Sequence, residues 1–221
     1  MGEESVGAGS LTHLDRRIAV IANGPSESRK AGIEASTERL HRLHGTSLVR
    51  DASILLSLGA STFATACTIF HRFCHQCSLY DYDVWSVATA STLLATKIEG
   101  EPQTMKEIIQ VFAHLYRKRI LLATTETPDE VRKHPLSASL PAASTMSLEE
   151  KHERLEKLPL PSKLAPVYKE WHGRISEMEA VVLRRLGFAL YWIPDSHPHK
   201  FIPYMLDSLE LTDSKVCSEL M

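Results

Sequence analysis

The sequence predicts an all-α protein, and three observations carry that reading. Apolar residues recur at spacings of three and four through 25–119 and again through 168–186, between residues that start and stop helices. Neither β-α alternation nor a run of alternating strands is present. One segment, 84–98, is apolar nearly all round yet too short to cross a bilayer, which marks a helix at the centre of a core.

The elements follow in order. Asn23-Gly24-Pro25 is a turn signal, and Ser26 can cap a helix whose apolar stripe is thin: Ile33, Leu40 and Leu43. Gly45 is expected to break that helix. A second, over 47–58, carries Leu48, Val49, Ala52, Leu55 and Leu56, with Gly59 as its C′ residue. A third opens at Ser61 or Thr62 and places Phe63, Ala66, Cys67, Phe70 and Phe73 on one face. Asp81 or Asp83 then caps the core helix 84–98, which Gly100 and Pro102 stop. Thr104 and Glu107 form a capping box for a helix bearing Ile108, Ile109, Phe112 and Leu115. It is expected to end in the basic run Tyr116-Arg117-Lys118-Arg119, where cations complement the helix C-terminus. The last long helix carries Trp171, Ile175, Met178, Val182 and Leu186 and stops at Gly187.

Between them, 121–166 has no Phe, Trp or Tyr but six prolines, a composition that buries little area. It reads as a long flexible insertion. Within it SLEEKHERLEKL has a capping box and interleaved charges, so a short solvated helix is expected there.

The chain has 221 residues, 43% hydrophobic and 24% charged, which suits a globular protein with one principal domain. A net charge of −2 argues against a strongly basic nucleic-acid binder, and no direct contact with nucleic acid is expected. No stretch approaches ~18 consecutive apolar residues, so no membrane span is read. The acidic, non-apolar start MGEESVGAGS is unlike a secretory signal, so the four cysteines are expected as reduced thiols in cytosol or nucleus.

Several blocks in order, PSESRKAGI, TERLHRLHGTSLVRDASILLSL, IFHRF, LLATKIEGEP and MKEIIQVF, resemble the first cyclin box of transcription-type cyclins, and L-type cyclins above all. After the insertion, ISEMEAVVLRRLGFALYWIPDSHPHKFI is similar to the family's fifth helix and the start of its second box. The resemblance implies a five-helix cyclin box around a central third helix. It divides the chain into an extension at 1–24, the box at 25–193 and a linker with the beginning of a second box at 194–221. It also implies function: a non-catalytic, nuclear regulatory subunit that binds a cyclin-dependent protein kinase and pushes its mobile helix into the active position. Transcription or splicing proteins would be further partners, and neither cofactor nor metal is implied.

Two contact residues follow from the resemblance. The lysine ending the third helix falls on Lys97, with Ile98 and Glu99 beside it, and the glutamate midway along the fifth falls on Glu179. From the residues themselves, both charges sit at the edge of apolar surface, where desolvation is costly without a partner. An internal Lys97–Glu179 salt bridge or two exposed charges fit the same pattern. A mutually oriented pair can also serve a partner's backbone.

The sequence departs from the family in places. His71 stands in IFHRF where an acid is common, and Gly100 replaces the second glutamate of the lysine segment. The insertion is longer than in L-type cyclins, the second box is barely begun and no arginine-serine tail follows. A truncated or alternatively spliced product is expected, in which kinase activation is more in question than docking.

Other constellations carry less. His71, Cys74, His75 and Cys77 have metal-like spacing, but no second pair matches them, so structural cysteines are the better reading. His197 and His199 match the family's inter-box linker. Arg16-Arg17, Arg117-Lys118-Arg119 and Arg184-Arg185 read as solvated helix ends. Neither a triad, a phosphate loop nor paired carboxylates appear, so no enzyme is expected. A nucleic-acid-binding cyclin fold and a plain helical adaptor remain the rival classes. Co-purification with a kinase separates them.

Overall fold

The computed structural model describes residues 24–122, 147–157, 159–188 and 190. Among them are seven helices and no strand: α1 (Glu27–Lys30), α2 (Ala35–Leu55), α3 (Ala60–Gln76), α4 (Val84–Ile98), α5 (Met105–Leu122), α6 (Leu148–Lys157) and α7 (Pro166–Arg185). The long helices α2, α3, α4, α5 and α7 form the bundle, and α4 packs against the other four.

The core helix falls where the sequence places it. Asp83 caps it by accepting from Ser86 N–H at 3.0 Å. Eleven of its residues, Val84 and Val87 through Thr96, are buried. Three are threonines, whose hydroxyls would be unpaired in an apolar core. Thr89 and Thr92 donate back to the carbonyls of Trp85 and Ala88, and Thr96 to that of Leu93, at 2.7–2.9 Å. Around this axis pack Ile69, Phe70 and Phe73 from α3, Ile108 and Phe112 from α5, and Ile175 and Val182 from α7.

Gly45 does not break α2, which runs unbroken through it. A Cβ at position 45 would lie 2.0 Å from Phe70 Cζ, so the glycine is there to let α3 approach. The apolar stripe expected from Leu40 and Leu43 is also wrong, since both are more than half exposed. The buried face is instead Gly45, Leu48, Val49, Ala52 and Ser53. The helix ends at Leu55, with Ser57 in the left-handed region (φ 53°) rather than at Gly59, which serves as the N-cap residue of α3. The N-terminal turn is pinned by a buried network. Ser26 Oγ donates to Glu38 Oε2 (2.7 Å), and Arg42 joins Glu38 to the Cys74 carbonyl.

The Thr104–Glu107 capping box forms, with Glu107 Oε2 accepting from Thr104 N–H at 2.8 Å. The helix it opens outruns the basic cluster to Leu122, because Ile120 and Leu121 are buried. Ser147 and Glu150 close a second box at α6. That helix is not wholly solvated: Lys151 and Leu155 are buried. Nor is Arg117 a solvated end, since it is buried and donates to the Pro159 carbonyl at 2.8 Å. Helix α6 is thus packed along α5, and Pro159 is joined to it through Arg117. Arg16, Arg17, His197, His199 and Cys217 lie outside the described residues.

Candidate functional site

Lys97 and Glu179 come together from positions 82 residues apart. Lys97 Nζ donates to Glu179 Oε1. Lys97 stands on the last turn of α4, where its charge also complements the helix terminus. Its side chain is 51% exposed and that of Glu179 only 17%. The arrangement orients both groups at the surface without burying the ammonium. Lysine has three N–H donors and a carboxylate several acceptor sites, so the pair can serve a second partner's backbone while intact. Ile98 is half-buried against the core.

Glu99 is turned away from this edge. Its carboxylate accepts from Thr65 Oγ1 on α3. Glu101, which sequence reading did not single out, accepts from Gly59 N–H (3.0 Å) and Thr62 Oγ1 (2.8 Å). Their partners lie 34 to 42 residues upstream, so no local pattern could have found them.

Sequence reading also passed over Phe188. It follows Gly187 with φ 58°, its N–H donates to the Leu183 carbonyl at 2.9 Å, and it is 66% exposed. Leu183 lies one turn beyond Glu179 on the same helix face. Phe188 is thus an exposed aromatic ring just past the end of the helix that carries Glu179 and Leu183.

Elsewhere, aromatic rings link four helices: His44 on α2, Trp85 on α4, Tyr116 on α5 and Trp171 on α7, with centroids 5.8, 5.4 and 6.3 Å apart. Beside them is a cleft of about 130 Å³ rimmed by Asp83 and Arg174. A second cleft, about 390 Å³, lies between Leu55, Val111 and Leu160.

Burial pushes the Cys74 thiol up to about 12 and the Cys67 thiol up to about 11, so both are protonated and unreactive at neutral pH. Among the described residues no three His, Cys, Asp or Glu side chains converge on one point. None of their helices is long and apolar enough to cross a membrane.

A bundle of five helices around a buried third, with a lysine closing the third and a glutamate from the fifth beside it, is the architecture expected of a cyclin box. Comparison with known proteins agrees. The family described as "Cyclin, N-terminal domain" matches residues 37–127. Over those residues the chain is similar to that domain, and the relatives it matches are cyclins of the L type. It is 30% identical to Cyclin-L1-1 of Arabidopsis thaliana over 187 residues, which are 84% of this chain and 36% of that protein. To Cyclin-L1 of Homo sapiens it is 28% identical over 186 residues, 84% of this chain and 28% of the other. To Cyclin-L2 of Mus musculus it is 28% identical over 183 residues, 83% of this chain and 28% of the other. The chain thus spans about a third of the length of these relatives.

Proposed function

We propose that this chain is a regulatory cyclin subunit that docks on a cyclin-dependent protein serine/threonine kinase through the edge formed by Lys97 and Glu179. The observation that carries the reading is the ion pair itself, in a chain similar to this family. It holds two oppositely charged groups side by side at the surface, with the half-buried Ile98 following Lys97 in the chain. Half-exposed charge beside apolar surface suits a partner helix. The charges fix its register by hydrogen bonds, and the apolar groups supply buried area.

In this reading the chain has no catalytic activity and acts by shifting the kinase's mobile helix toward its active position. Likeness to L-type cyclins supports work in the nucleus, in transcription by RNA polymerase II and in pre-mRNA splicing, alongside proteins of those processes. The test is recovery of a tagged chain from nuclear extract. A cyclin-dependent kinase of the transcription or splicing group is expected to be retained, and assay of the recovered complex with and without the chain reports activation. Retention on DNA at moderate salt, with no kinase recovered, would instead favour a nucleic-acid-binding cyclin fold.

A further inference from the structure

We infer that Glu101, with Glu99, is a positioning residue for Lys97: the two carboxylates clamp the end of α4 to the start of α3 and so fix the direction in which the lysine leaves the bundle. The inference rests on the docking role proposed for Lys97 and extends it to residues that touch no partner.

Three features converge here. First, α3 begins without a cap of its own. Its N-cap residue is Gly59, which has no side chain, and four N–H groups of any helix start lack intrahelical partners. Glu101 supplies the missing acceptor from 42 residues away, taking Gly59 N–H and the Thr62 hydroxyl on one oxygen. Its negative charge also suits the helix N-terminus. Second, the Glu101 carboxylate closes directly over position 59, so a side chain there would displace it. A Cβ there would lie 2.8 Å from Glu101 Oε1. Third, the α4 end would otherwise be free to fray. Its chain reverses at Gly100 (φ 76°), and Glu101 N–H donates back to the Thr96 carbonyl at 3.0 Å. Thr96 immediately precedes Lys97. Glu99 ties the same turn to Thr65, one turn further along α3. The turn that follows Lys97 is thereby tied to a neighbouring helix, while its ammonium remains at the surface.

Four variants test this: Glu101→Ala, Glu101→Gln, Gly59→Ala and Lys97→Ala. Amide hydrogen exchange reads the clamp without any partner. Glu101→Ala and Gly59→Ala are expected to speed exchange both at the α3 start and at the α4 end. Glu101→Gln keeps an acceptor oxygen and is expected to restore slow exchange. Affinity for the purified kinase recovered with the wild-type chain reads the positioning. Glu101→Ala is expected to weaken it at least about threefold, and to have no further effect once Lys97 is alanine. A purely structural role would give the same loss in both backgrounds, which overturns the inference. So does unchanged exchange at the α4 end. If Lys97→Ala itself binds as wild type does, the docking reading fails first and this inference with it. If Lys97→Ala is weakened but the Glu101→Ala loss adds to it in full, the docking reading stands and the positioning role alone is rejected.

Discussion

Replacing Gly45 by alanine separates a packing role from a helix-breaking one. The glycine lies inside the unbroken helix α2, where alanine should gain ~0.8–1.0 kcal/mol from helix propensity alone. Against this stands the ring of Phe70. The new methyl would sit 2.0 Å from Cζ and 2.6 and 2.7 Å from the two Cε atoms. Carbon atoms in contact rest at ~3.5–4.0 Å, so the overlap is about 1.5 Å. Phe70 is wholly buried against α4, which leaves its ring no open space to enter. Overpacking of this kind costs ~1–3 kcal/mol, and so large an overlap belongs at the upper end. The net expectation is a loss of ~1–2 kcal/mol. Urea unfolding followed by helical circular dichroism measures it, as a lower midpoint with an unchanged slope. In a Phe70→Leu background the clash is relieved, and Gly45→Ala should become neutral or stabilising. An alanine variant more stable than the parent, with Phe70 intact, would refute the close-packing explanation.

Two further outcomes are expected. Exchanging 124–146 for a Gly/Ser linker of equal length should leave the cooperative melt nearly unchanged, because that stretch has no aromatic residue. Removing 124–164 should lower it clearly, since Leu155 is then lost from α5 and Arg117 loses the Pro159 carbonyl; equal melting of the two variants would argue against this packing. Stability should also fall with acid. Burial first, then Arg119 and His41, lower His44 from the ordinary 6.5 to about 4, and burial lowers His71 and His114 in the same direction. Between those limits the unfolded chain binds more protons. Stability is therefore full above pH 6.5 and declines as pH falls toward 4, and His44→Gln should flatten part of that slope. Urea midpoints that stay level or rise over this range would contradict it.

What was legible in the sequence was what local chemistry decides. The bounds of α4 follow from an apolar surface on every side, an aspartate before it and Gly100 after it. The Thr104–Glu107 and Ser147–Glu150 boxes follow from side chains three residues apart. Long-range contacts were not legible. Gly45 looks like a breaker until Phe70, 25 positions on, is seen against it. Leu40 and Leu43 have helical spacing, but spacing alone does not say which face is covered. Arg117 sits in a basic run that suggests solvent, and only the fold shows the Pro159 carbonyl that receives it. The pairing of Lys97 with Glu179 came from family likeness, as one of several arrangements that the residues themselves allowed. Glu101 was invisible because its partners precede it by about forty residues.

The most direct test of the docking edge is the affinity of Lys97→Ala, Glu179→Ala and the double variant for the cyclin-dependent kinase recovered with the wild-type chain. A desolvated charge bonded to a partner's backbone is worth ~2 kcal/mol or more, so each single change should weaken binding at least ~10-fold. Because the two side chains pair with each other, the double variant should fall short of additivity. Melting should shift little, in contrast to a Leu93→Ala control in the buried core, expected to lose ~2–5 kcal/mol. Wild-type affinity in both charge variants would contradict the assignment. So would unfolding as ready as that of Leu93→Ala, which would make the pair a brace of the fold rather than a surface for a kinase.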